Sequence, residues 1–244
     1  MIWLKVGIAG QSKPLDFLLD SGAGQSDINL GTAQRIGAQL GARKTVLGMQ
    51  GRCAAYRVNS LTATLASVPV PRELLALDLS SVSAGCGARI DGLLGADFFR
   101  GRIVQIDFAS QTLRLLQRNE VNEAGCEILP LTTRNDAYCV WVSVDGNSPE
   151  WLRLDTGCNT ALEWVVTGER AKKLGITTIG LNSGSVRAFH ADVQFGSKCV
   201  SAVKTGIHTE QMFAGEAGLI GNGLLSRFTV TIDPAKRRCL LASN

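Results

Sequence analysis

Two apolar runs in this chain end in the same kind of triplet. DFLLDSGAG carries Asp20-Ser21-Gly22, and LRLDTGCNT carries Asp155-Thr156-Gly157. One copy alone reads as a turn, because Asp and Ser/Thr side chains bond nearby backbone and Gly accepts positive φ. Two copies suggest carboxylate chemistry. Carboxyls a few ångströms apart cannot both ionise cheaply, so a pair shares a proton and titrates in two separated steps. The ionised member can take a proton from a water, while the protonated member polarises a carbonyl. That is general acid–base amide hydrolysis without a covalent intermediate. Asp20 and Asp155 are therefore the candidate catalytic residues. Ser21 and Thr156 supply hydroxyls to hold each loop, and Gly22 and Gly157 allow close backbone approach and free an N–H for the carboxylate.

The elements that must position these triplets repeat along the chain. GLLGADFFRGRIVQIDFASQTLRLL, from Gly92, aligns without a gap on GLIGNGLLSRFTVTIDPAKRRCLLA, from Gly218. Gly92/Gly218, Leu93/Leu219, Gly95/Gly221, Val104/Val230, Ile106/Ile232 and Asp107/Asp233 are among the identities. Upstream, KVGIAGQSKPLDFLLDSGAG matches WVSVDGNSPEWLRLDTGCN: an alternating strand, a Gly turn, then a strand ending in the Asp triplet. AQRIG and RAKKLG read as short helical turns closed by Gly, and ATLASVPV and VQFGSKCV as strand-turn-strand pieces. Strand and turn signals dominate, which predicts an all-β fold with short helices in two homologous lobes, 1–118 and 119–244. The seam falls in the polar stretch 117–125. Each lobe is near the lower size limit for a stable core and gains from packing on its twin.

Composition excludes several other functions. The chain has 244 residues, 45% hydrophobic and 19% charged, with a net charge of +4. That is globular, and no basic stripe interleaved with aromatics marks a nucleic-acid surface. No apolar run reaches the length of a membrane span. The first residues alternate, as a strand does, rather than forming a signal-peptide core. The seven cysteines include no CxxC pair, and neither His190 nor His208 has a partner at zinc-ligand spacing. Neither Gly92-x-x-Gly95 nor Gly7-x-x-Gly10 has the lysine of a phosphate loop. No motif ties a thiol to an imidazole for nucleophilic catalysis. The thiols read as small buried apolar groups, with some disulfides left open.

The paired triplets, each followed by an apolar-apolar-Gly element (Leu93-Leu94-Gly95; Leu219-Ile220-Gly221), resemble the aspartic protease superfamily of retropepsins and pepsins. GLLGADFF is similar to the bacterial retropepsin-like group. The resemblance covers nearly the whole chain and implies a single-chain pseudo-dimer of two β-barrel lobes related by a pseudo-two-fold axis. It implies a catalytic dyad of Asp20 and Asp155, no metal or other cofactor, and an extended polypeptide substrate added as a β-strand. It further implies a monomer and a β-hairpin flap that excludes water. Gly48, Met49, Gln50 and Gly51, at the tip of TVLGMQGRCAAY, are the flap candidates; TIGLNSGSV is the corresponding stretch of the second half, and the number of flaps stays open. Two departures stand out: Cys158 follows the second triplet where Ala or Ser is usual, and Asn222-Gly223 replaces Ala96-Asp97. Because the second half begins with a segment, Cys126 to Cys139, lacking a counterpart in the first, a missing upstream strand or export signal is expected. The compartment stays open between periplasm or secretion and cytoplasm. A silent peptide-binding module of the same fold is the alternative function.

Overall fold

A computed structural model describes residues 1–48, 51–168, 170 and 189–244. Strands hold 51% of the chain and helices 12%, so the fold is all-β. Two compact units divide it, Met1–Phe98 and Phe99–Asn244. No described helix is long and apolar enough to cross a membrane. All seven cysteines are free thiols.

In the first unit, β1 (Trp3–Ile8) and β2 (Leu15–Leu19) form an antiparallel hairpin. The alternation of β1 puts Val6 and Ile8 inside. β2 is different: Phe17, Leu18 and Leu19 are all fully buried. A strand covered on both faces should read as a continuous apolar run, as this one does. Burying each such side chain contributes about 1.5–3 kcal/mol. β2 lies parallel to β9 (Gly92–Leu94), and β9 lies antiparallel to β3 (Asp27–Asn29). α1 (Leu30–Arg35) follows, its N-terminus capped by the Asn29 side chain, which accepts the Gly31 N–H at 2.9 Å. Gly37 takes φ +71° just beyond it, the closing role expected of that glycine. β4 (Gln39–Gly48) and β5 (Gly51–Asn59) form a long hairpin whose last pair is Gly48 with Gly51. This is the predicted flap hairpin; Met49 and Gln50 lie outside the described residues. β6 (Ala63–Leu65), β7 (Val68–Pro69) and β8 (Leu75–Leu77) complete the sheet, with α2 (Ser80–Cys86) leading back to β9.

The second unit opens with β10 (Ile103–Asp107) and β11 (Thr112–Leu116), then β12 (Cys126–Arg134), β13 (Ala137–Val144) and β14 (Glu150–Asp155). β15 (Leu162–Val165), β16 (Phe189–Phe195), β17 (Lys198–His208) and β18 (Gly218–Gly221) follow. A short α3 (Asn222–Leu225) precedes β19 (Phe228–Asp233) and β20 (Arg238–Ser243). Trp164, Phe195 and Phe228 anchor the core, with the two Phe rings 5.7 Å apart edge to face.

Strand wiring repeats between the units. The order β3-β9-β2-β1 in the first is matched by β15-β18-β14-β13 in the second. β6 pairs with β1 as β16 pairs with β13, and β8 lies parallel to β3 as β17 does to β15. The sequence repeat and the packing divide the chain at different points. β10 and β11, which end the first sequence copy, join the second unit because β10 pairs with β19. Val104 faces Ile232 and Ile106 faces Val230, with Gln105 and Thr231 at the centre. Gln105 thus meets its own aligned counterpart, Thr231, while positions 104 and 106 each face the counterpart of the other. The stretch 178–186 and most of the second predicted helical turn lie outside the described residues.

Candidate active site

Each Asp triplet sits where a buried strand ends beside a Gly-apolar-apolar-Gly strand. In the first unit Leu19 lies beside Leu94, and the Asp20 N–H donates to the Leu94 carbonyl at 2.8 Å. The chain then turns back, and Asp20 Oδ1 accepts the N–H groups of Gly22 and Ala23, both at 3.0 Å. In the second unit Asp155 lies beside Gly221, and its Oδ1 accepts the Gly157 N–H at 2.9 Å. Both carboxylates are therefore held by the backbone of their own loop. Ser21 and Thr156 are buried beneath the two loops.

The glycines of the two Gly-apolar-apolar-Gly elements make this packing possible. A Cβ on Gly95 would lie 2.5 Å from the Gln25 carbonyl oxygen. One on Gly92 would lie 2.6 Å from the Asp27 carbonyl oxygen, and one on Gly218 would lie 2.0 Å from the Glu163 carbonyl oxygen. These glycines are required by close approach of backbone, whatever their φ. The Ala96 N–H then donates to the Ala23 carbonyl at 2.7 Å, and the Asn222 N–H to the Cys158 carbonyl at 2.8 Å.

The two loops are braced differently at the positions where the repeat diverges. In the first unit Ser26 Oγ donates to Asp97 Oδ1 at 2.5 Å and accepts the Gly95 N–H at 3.0 Å. The second unit has neither side chain. There the Ala161 carbonyl accepts the Gly221 N–H at 3.1 Å, and Asn222 Nδ2 donates to the Thr156 carbonyl at 2.7 Å. The Asn222-Gly223 departure thus comes with its own brace: Asn222 reaches the triplet directly.

Carboxyl groups the sequence did not single out stand near both triplets. Asp27 faces Leu93 and Glu163 faces Leu219, equivalent places in the two wirings. Burial, then the charges of Asp97 and Asp20, push the Asp27 carboxyl well above its ordinary range. Glu163 instead has the His208 imidazole beside it, with Nε2 at 2.6 Å from its Oε2. His208, which reads as an ordinary polar position in the sequence, is thus an ion-pair partner whenever protonated. The signal available beforehand was only that Asp27 and Glu163 follow their triplets at similar distances. Cys158, beside the second triplet, has its thiol pushed up by burial and by the Asp155 charge, against a contact with Thr160 Oγ1 at 3.1 Å. Such a thiol stays protonated and weakly nucleophilic. Gly48 and Gly51 sit at the described end of the β4–β5 hairpin. Among the described residues no group of His, Cys, Asp and Glu could hold a metal.

Residues 4–98 match the family model described as aspartyl protease, which supports an aspartyl protease, retropepsin-like family for that part of the chain. The matched stretch coincides with the first compact unit, Met1–Phe98, and contains the Asp20 triplet. No curated protein matches the chain. The all-β architecture with few short helices agrees with retropepsin-like lobes.

Proposed function

We propose that this chain is an aspartic endopeptidase in which Asp20 and Asp155 share one proton and activate one water against a peptide carbonyl. The observation that carries the reading is the duplicate bracing. Each Asp closes a buried strand running parallel to a Gly-apolar-apolar-Gly strand, and each carboxylate accepts the N–H of the Gly two residues on, at 3.0 and 2.9 Å. A turn that served only to reverse the chain would have no reason to keep both the carboxylate and its brace in two places. The ionised carboxyl takes the water proton as the oxygen attacks, and the protonated carboxyl donates to the carbonyl oxygen. The proton then passes to the leaving nitrogen, and no covalent intermediate forms. The resulting single-chain pseudo-dimer works as a monomer, with repeat lobes 1–118 and 119–244. The substrate is a polypeptide in extended conformation, its backbone added to the β4–β5 hairpin as a further strand, with Gly48, Met49, Gln50 and Gly51 covering the scissile bond.

Cleavage of a mixed peptide library tests this. Wild type should cut, most rapidly at acidic pH where one carboxyl keeps its proton. Asp20→Asn and Asp155→Asn should each lower kcat by at least about a thousandfold, a loss comparable to removing other essential catalytic groups. Their thermal midpoints should stay close to wild type. Peptide binding with no cleavage from pH 3 to 8 would replace the hydrolase by a peptide-binding module.

A further inference from the structure

Away from both triplets, the second unit holds a cavity of about 310 Å³. It lies at the common end of two hairpins, β12–β13 and β19–β20. Leu131 and Pro234 give it an apolar part, Thr132, Thr133 and Tyr138 add polar residues to the lining, and Arg100 and Arg237 bring two guanidiniums. Asp136 is the single acidic group of the lining. The volume is at the lower end of the range for small-ligand pockets.

The arginines supply the positive charge of the lining, and both are exposed. Arg237 is the middle of three consecutive basic residues, and its neighbours are neutralised. Arg238 bonds Asp233 at 3.1 Å and Glu123 at 2.6 Å, and Lys236 lies 3.9 Å from Glu123. Among the described residues, neither the Arg237 guanidinium nor that of Arg100 has a hydrogen-bond or ion-pair partner. The repeat offers an internal comparison. Arg237 occupies the left-handed position of its hairpin turn at φ +53°, and Gln111 occupies the aligned position in the β10–β11 turn at φ +55°. The turn conformation is therefore common to both copies, while the cation belongs to the cavity-lining copy alone. Two unpartnered guanidiniums form a donor set suited to an oxyanion, because the planar guanidinium fork matches phosphate and carboxylate geometry.

We propose that this cavity binds a small multivalent oxyanion, the phosphate or carboxylate group of a soluble metabolite, held by Arg100 and Arg237. Asp136 sets the selectivity: it disfavours the most highly charged ligands and leaves the site one net positive charge.

Titration calorimetry on the full chain tests the site, with inorganic phosphate and citrate as separate probes and ionic strength held constant with sodium chloride. Saturable one-to-one binding of phosphate, of citrate or of both supports the proposal, and the stronger probe names the source of the group. Arg100→Gln and Arg237→Gln should each weaken binding about tenfold, the cost of one charged hydrogen bond. Arg237→Lys should lose less, Asp136→Asn should tighten binding, and Arg114→Gln on β11 should change nothing. Circular dichroism confirms that each variant is folded. Absence of saturable heat with both probes overturns the proposal, and so does binding that survives the Arg100→Gln/Arg237→Gln double substitution.

Discussion

Gly221 leaves no room for a side chain against Thr160: a Cβ there would stand 2.3 Å from the Thr160 carbonyl oxygen. The obstacle is backbone in the loop that carries the second triplet, so it cannot swing aside as a flexible side chain would.

Gly221→Ala and Gly95→Ala should therefore destabilise the fold by about 1–3 kcal/mol or more through overpacking, and displace the adjacent Asp loop. Gly85→Ala is the control. It lies in α2 with nothing within 4 Å of an added Cβ, and should be neutral or stabilise by up to about 1 kcal/mol. Urea denaturation of the three variants separates these outcomes. Equal effects at positions 85 and 221 would contradict the packing argument.

Ser26 accepts from one group and donates to another, so Ser26→Ala orphans both the Gly95 N–H and an oxygen of Asp97. Leaving buried polar groups unmatched costs about 1–3 kcal/mol. Asn222→Ala removes one bond to the Thr156 carbonyl and also an Oδ1 that has no partner. The expected loss there is smaller, about 0.5–1.5 kcal/mol. Thermal melts that rank Asn222→Ala as the worse of the two would reverse this account of the bracing.

Asp27 and Asp91 should bend the pH–stability curve in opposite directions. Burial works to raise the Asp91 carboxyl, but hydrogen bonds from Thr32 Oγ1, Arg35 and the Asp16 N–H, with the Arg35 charge, outweigh it and hold it low. Its contribution is therefore complete above the unfolded value of about 3.9 and is lost as pH falls through the lower folded value. Asp27 is raised, so its contribution is complete below about 3.9 and is lost as pH rises through the higher folded value. Asp27→Asn should raise the melting temperature near pH 7 and leave it unchanged near pH 3. Asp91→Asn should lower it near pH 7 and flatten the acid limb. Melting curves from pH 3 to 8 check both signs.

In the second unit Arg153 and Glu216 form a buried pair, with Nε and Nη2 at 2.7 and 2.6 Å from the two carboxylate oxygens. Arg153 also stacks 3.4 Å over the Phe213 ring centroid. Removing one partner leaves a buried charge, so Glu216→Ala should cost about 3–5 kcal/mol. Arg153→Met/Glu216→Leu should cost clearly less than the sum of its single changes. A double-mutant cycle showing simple additivity would mean the pair is not the unit that matters.

The residues that announce themselves in the sequence are those whose role is local. The alternation of Val6 and Ile8, the unbroken Phe17-Leu18-Leu19 run and the Gly37 stop each reflect a rule acting over a few positions. The Gly92 and Gly95 pair was visible because duplication displayed it twice. Asp27, Ser26 with Asp97, and Glu163 with His208 were hidden for the opposite reason. Their partners lie 45 to 71 positions away, brought near only by the β3–β9 and β15–β17 pairings. Charge type alone does not forecast such neighbours. The seam between packed units was likewise obscured, since strand pairing carries β10 and β11 past the point where sequence similarity changes copy.

Where β10 meets β19, positions 104 and 106 face the counterparts of 106 and 104, and Gln105 donates to Thr231 at 3.2 Å on the central pair. A strand arranged in this way is complementary to a second copy of itself, as the surface of a two-fold interface is. Between separate chains such a pairing would depend on protomer concentration. Within one chain it does not, and the two strands are free to differ at their centre, as Gln105 and Thr231 do.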